Sequence, residues 1–198
     1  MTHNDDNREK HILICGYRLH GKSTLAKFLS EEINGDQLEY QVYSRKNMIL
    51  QKVSNGQRLA FADILKDSVC AKLGITRQEL ELNKAIYRHY LVEEATRVKQ
   101  ISPSYYVDRL LEIRPLDKLM IIEDLRHKIE LERFVEEGLD FTIVRVFNSY
   151  APIPPNDAYE EHDLDNLVTD HIVLCQGSTI MEFLEKFPQY HIENYIGF

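Results

Sequence analysis

Residues 12–29 read ILICGYRLHGKSTLAKFL. An apolar run breaks at Gly16, four residues follow, and Gly21-Lys22-Ser23 closes the interval. A bound phosphate explains this order. Glycines bracketing a tight loop let backbone N–H groups turn inward toward phosphate oxygens. Lys22 would reach the β- and γ-phosphates, and the Ser23 hydroxyl would ligate Mg²⁺. The run from Ser23 to Glu32 predicts a helix whose positive N-terminus faces the anion. His11 to Cys15 predicts a strand, so the order is strand, loop, helix, the context this motif requires. The pattern G-x-x-x-x-G-K-[ST] arises by accident on the order of once in a hundred chains of this length. The competing reading is a glycine-bounded turn before an ordinary helix. A dinucleotide fingerprint is excluded because G-x-G-x-x-G is missing, and Asn83-Lys84 lacks the Asp that guanine recognition needs.

Composition bounds the partners. The chain has 198 residues, enough for one domain with a full core. Its 32 acidic residues outnumber 24 Lys plus Arg, so a general nucleic-acid surface is not expected. A small anionic ligand needs only a few placed cations. No apolar run approaches about 18 residues, so no membrane span is expected. The polar tail at 1–10 is unlike a signal peptide. Cys15, Cys70 and Cys175 have no ligand-like spacing and fit reduced, buried thiols in a cytoplasmic setting.

Apolar β-type runs recur at 119–124 (LMIIED), 141–147 (FTIVRVF) and 172–175 (IVLC). A helix is predicted at 128–137, closed by Gly138, and another at 179–187 behind Ser178 as N-cap. Residues 58–62 predict a strand. Residues 76–99 predict one long helix, and Ser102-Pro103 predicts the N-cap and first position of the next. This alternation implies an α/β fold with a parallel sheet and helices on both faces. Residues 64–114 exceed a single crossover and predict a helical insertion over the cleft. Residues 35–56 leave an extra hairpin and a helix both open.

Candidate chemistry follows from position. Asp124 closes an apolar run at a strand's carboxyl end, where ligands bind in open α/β sheets. There it would hold Mg²⁺, with Arg126 on a phosphate; a solvated ion pair is the alternative. Glu123 should point to the opposite face. Lys66 falls in the first turn of a helix, unfavourable for the dipole unless an anion is bound. Arg88, His89, Arg97 and Lys99 share a helical run, as anion ligands or as a solvated face. His20 lies in the loop, within reach of phosphate or simply at a variable position. Tyr105 and Tyr106 suit a base pocket or the core.

These pieces, in this order, resemble the P-loop deoxynucleoside monophosphate kinases of the bacteriophage type and the related animal-type phosphomevalonate kinases. The matching residues are Gly16, Gly21-Lys22-Ser23, FADILK ending at Lys66, Arg88, SPSYY ending at Tyr106, IEDLR ending at Arg126, Gly138, and Gln176-Gly177-Ser178. They span roughly 11–187. The resemblance implies a P-loop NTPase three-layer sandwich with a five-stranded parallel sheet. It implies catalysis by Lys22, Asp124 and Arg126, and ATP held by Gly16, Arg18, His20, Gly21, Lys22, Ser23 and Thr24. It implies Mg²⁺ on Ser23 and Asp124. Asp63, Lys66, Arg88, Arg97 and Tyr106 would bind a small phosphate-bearing acceptor, a deoxynucleoside monophosphate or phosphomevalonate. A second copy of the chain is an optional partner. The lid-like stretch 148–166 carries no Lys or Arg, so Arg18, Arg126 or Arg145 would have to serve the transferred group. Glu94 stands where relatives often have glycine. A nucleotide-binding regulator without efficient transfer is the reading from another class.

Overall fold

The computed structural model describes residues 10–33, 39–46, 48–53, 55–155 and 162–197. Residues 1–9 of the tail expected at 1–10, and 156–161 of the lid-like stretch, lie outside the described residues. Leu13, Ile14 and Cys15 are fully buried in β1 (His11–Cys15), which runs through the middle of the sheet. Its flanks are β4 (Leu119–Leu125) and β5 (Phe141–Phe147), both parallel to it. Outside these lie β3 (Gly56–Leu59) and β6 (His171–Cys175), again parallel to their neighbours. Strands covered on both faces can be apolar throughout, which is why β1 and the start of β4 lack polar alternation.

Among the described residues the sheet has seven strands and is mixed, not the five-stranded parallel sheet expected. The additions are β2 (Tyr40–Arg45), antiparallel to β6, and β7 (Tyr195–Gly197), antiparallel to β2. Without β2, β6 would present a row of unpaired backbone groups.

Side-chain alternation divides the core. Leu13, Met120 and Ile122 point to one face, under α2 (Phe61–Leu73), α5 (Tyr105–Ile113) and α6 (Lys128–Glu136). Ile12, Ile14 and Ile121 point to the other, under Leu25, Ala26 and Leu29 of α1 (Lys22–Leu29). Phe183 of α7 (Ile180–Lys186) joins Tyr17, Phe147, Ile172 and Leu174 in a third, aromatic cluster.

Several boundaries differ from expectation for local reasons. The run at 76–99 is two helices, α3 (Arg77–Leu82) and α4 (Lys84–Ile101). Between them the Asn83 side chain donates to the Glu79 carbonyl at 3.1 Å, a local bond that competes with helix continuation. The helix expected at Ser102-Pro103 starts at Tyr105, after Ser104, whose hydroxyl donates to Asp108 at 2.6 Å. Phe61 and Ala62 open α2 rather than ending a strand. Thr179, not Ser178, caps α7, in a reciprocal pair with Glu182. The helices between β3 and β4 have a small core of their own: Val69, Cys70 and Leu80. They are also tied by buried Glu94, which accepts from Ser68, Lys72 and both nitrogens of an Arg97 fork. Among the described residues no helix is long and apolar enough to cross a membrane.

Candidate functional site

At Gly16 the chain leaves β1 with φ +138° and passes so close to β5 that a Cβ would lie 2.5 Å from the Val146 carbonyl oxygen. Leu19 also has positive φ, at 66°, and Gly21 is left-handed at 92° as the N-cap of α1. Glycine is required at the first position by space and favoured at Gly21 by φ. Helix α1 begins with no side-chain cap and no acid in its first turn, the arrangement that suits an external anion. Lys22 Nζ bridges the loop, donating to the Gly16 and Tyr17 carbonyls at 2.6 and 2.7 Å. Ser23 and Thr24 are exposed beside it. The His20 ring turns away into the aromatic cluster, edge-on to Tyr17 and Phe147, with Nδ1 accepting from Asn148 N. It does not border the cavity described next.

That cavity has a volume of about 340 Å³ and opens where the loop, α2, α4 and the end of β4 converge. Arg18 reaches it from the loop, Lys66 from α2, and Arg126 from the turn after β4. Helix α4 contributes Lys84, Arg88, Leu91, Val92, Ala95 and Lys99. Those positions recur every three or four residues and form one helical face. Phe61, Leu65 and Tyr106 supply apolar wall, and Asp124, His127 and Glu130 the polar remainder. Six cations therefore surround two acids, so the cavity suits an anion. Among the described residues Arg88 has no ion pair or hydrogen bond, whereas Lys66 pairs with Glu81 at 2.8 Å.

Two expected acceptor residues are not brought there. Arg97 is two positions from Ala95, about 200° around the helix, and its guanidinium is taken by Glu94. That contact, with Lys72 and Ser68, holds the Glu94 carboxyl down at about 2. Asp63 faces out and accepts from Arg77 at 2.5 Å. Arg145 also leaves the list of groups available to a phosphoryl group. It is 1% exposed, donates to Tyr190 Oη and to the Leu164 and Leu167 carbonyls, and lies over the Phe187 ring.

Asp124 and Glu130 are built alike. Asp124 accepts from Phe61 N and Ala62 N, both at 2.9 Å, at the start of α2. Glu130 accepts from Arg126 N at 2.8 Å and His127 N at 2.9 Å, at the start of α6. Burial pushes both carboxyls up, Glu130 to about 7, with the field of Asp124 adding to it. Lys99 Nζ meets His127 Nε2 at 3.0 Å beside them. Glu123 points to the opposite face, where it accepts from Arg58 at 2.8 Å. Ser23 beside the loop and Asp124 and Glu130 in the cavity carry oxygens of the kind Mg²⁺ prefers; that ion takes one or two protein ligands beside phosphates and water. Among the described residues no group of three or more His, Cys, Asp or Glu could hold a metal alone. Cys15 and Cys70 are buried, Cys175 is half-buried, and all three are free thiols.

Sequence reasoning missed Lys84, His127 and Glu130 as cavity residues, whereas Lys99, a candidate on the helical run, is brought there. Lys84 had a signal, its spacing in step with Arg88. Glu130 had another, three places after the N-cap of α6, where a carboxylate reaches back to the backbone. Compared with protein-family models and with characterised proteins, the chain matches none. Its own residues carry the reading.

Proposed function

We propose that this chain is an ATP-dependent phosphotransferase that moves the γ-phosphate of ATP to a phosphate-bearing small molecule, foremost a deoxynucleoside monophosphate. The observation that carries the reading is a shared border. Arg18, part of the glycine-bounded loop, also lines the cation-rich cavity together with Arg126 and Asp124. A donor on the loop and an acceptor in the cavity would thus meet at the carboxyl ends of β1 and β4, as in-line transfer requires. A P-loop NTPase sandwich and a cytoplasmic setting are the fold family and location this reading favours.

Each residue then has a task. Lys22 would exchange the Gly16 and Tyr17 carbonyls for donor phosphate oxygens. Ser23 and Asp124 would hold Mg²⁺, which when bound neutralises charge on the donor phosphates. Arg18 and Arg126 would offset charge developing on the transferred group, where preorganised cations act most strongly. Lys66 and Arg88 would hold the acceptor phosphate, and Phe61 and Tyr106 would flank the rest of that molecule. Phosphomevalonate is the acceptor alternative. The cation-free stretch 148–166 and the commitment of Arg145 to carbonyls favour a second reading, a nucleotide-binding regulator with little transfer. Measuring ADP production from ATP–Mg²⁺ against four deoxynucleoside monophosphates and phosphomevalonate separates the three. Acceptor-dependent ADP identifies the substrate class; nucleotide binding without it supports the regulator.

A further inference from the structure

β5 and β6 end beside the loop. A Cβ on Gly21 would lie 3.3 Å from Cys175 Sγ and 4.0 Å from Val146 Cγ1, so both strands abut the start of α1. Two residues past Cys175, Gly177 adopts φ +81°, and the place of its missing Cβ is taken by Tyr150. The ring's Cε2 is 2.8 Å and its Oη 2.9 Å from that point. Tyr150 is nevertheless 78% exposed, so the hydroxyl edge of the ring abuts the glycine while much of the ring faces solvent.

The ring is not on a loose strand of chain. Tyr150 N donates to Asn148 Oδ1 at 3.0 Å, Ser149 N to Ser178 Oγ at 2.9 Å, and Asn148 N to His20 Nδ1. These bonds join the turn after β5 both to the turn after β6 and to the loop itself. At no more than about 3.6 Å per residue, Gly177 lies within roughly 7 Å of Cys175 and Tyr150 within roughly 14 Å of Val146. The shelf is therefore within a nucleotide's length of the α1 N-terminus. The described part of 148–166 offers this site an aromatic face in place of a cation.

We propose that the Tyr150 ring, abutting Gly177 at its hydroxyl edge, is a stacking platform for the planar base of the nucleotide whose phosphates the Gly16–Ser23 loop holds. The inference rests on the donor-binding reading of that loop. An exposed aromatic face accepts a base's π-face without selecting the base's edge, so purine identity should matter little.

The test compares binding of ATP–Mg²⁺ with that of tripolyphosphate–Mg²⁺, which has no base, by titration calorimetry. Tyr150→Ala should weaken ATP about five- to a hundredfold, the range for loss of one stacked base, and leave tripolyphosphate within about twofold. Tyr150→Phe should restore ATP affinity, since the ring and not the hydroxyl stacks. Equal ATP affinity in wild type and Tyr150→Ala overturns the platform while leaving the loop assignment standing. Parallel loss of both ligands also overturns it, because the ring would then be shaping the loop. If the wild-type protein binds neither ligand, the loop assignment fails and the platform with it.

Discussion

Gly16 and Gly138 allow a controlled test of the loop. Both have positive φ, +138° and +65°, so alanine at either carries a backbone penalty. They differ in space: nothing lies within 4 Å of a Cβ on Gly138, whereas one on Gly16 meets the Val146 carbonyl oxygen at 2.5 Å. Gly138→Ala should cost about 1 kcal/mol, the left-handed term alone. Gly16→Ala should cost about 1–3 kcal/mol for its backbone conformation. Forcing β1 and β5 apart at the crowded end adds a steric cost of similar size. For a domain of this length each kcal/mol lowers Tm by about 2–4 °C. The expected losses are therefore about 2–4 °C for Gly138→Ala and on the order of 10 °C for Gly16→Ala. Calorimetry or urea titration measures both. Equal losses would refute the claim that the loop leaves β1 jammed against the β5 backbone. The same Gly16 variant should lose nucleotide binding at temperatures where it remains folded, because the loop's N–H groups can no longer converge.

Lys22→Ala should remove most of the thermal stabilisation given by ATP–Mg²⁺, read by a melting scan at fixed ligand concentration. Arg88→Ala should raise the acceptor KM on the order of tenfold while the ATP KM stays constant. Arg97→Ala should leave both constants alone and lower Tm instead, because it strips a partner from buried Glu94. Asp124→Asn should lower kcat about a hundredfold or more with little change in ATP affinity. Glu130 has a folded value near 7, above its ordinary 4.5, so its contribution is fully present below pH 4.5. That contribution is lost as pH rises toward 7. Glu130→Gln should flatten the stability profile across that window, by about 3 kcal/mol at most, as seen in urea titrations at pH 4.5, 6 and 8.

Strands sealed on both faces were legible because burial leaves an uninterrupted apolar run, as at 141–147. β2 was not, because its most buried residue is polar: Ser44 shares a hydrogen bond with His171 Nδ1 at 2.8 Å. That tertiary partner erases the alternation a half-buried strand would display. β7 was hidden for a related reason. Its three residues are a strand only because β2 offers a free edge, and Gly197 lies against the Tyr43 ring. The break at Asn83 is a single side-chain bond, too small a signal to interrupt a charged helical run. Around the cavity, Lys66 was legible from charge placed where it is otherwise unfavourable, Asp124 and Arg126 from their place at a strand's carboxyl end, the loop from its glycine spacing, and Arg88 from the order of pieces in the resemblance. His20, Asp63, Arg97 and Arg145 carry the same chemistry in the sequence but were claimed by partners far along the chain or across a helix turn. Nothing local distinguishes an arginine that will meet an anion from one that will hold Leu164 and Leu167 in place.

Phosphorus NMR of the protein with ATP, Mg²⁺ and each deoxynucleoside monophosphate in turn reads phosphoryl transfer itself. A phosphotransferase should deplete the ATP γ-resonance with matching growth of a new nucleoside diphosphate, and show neither change with Lys22→Ala. Loss of the γ-resonance to inorganic phosphate alone, or an unchanged spectrum with every monophosphate and with phosphomevalonate, would contradict that reading.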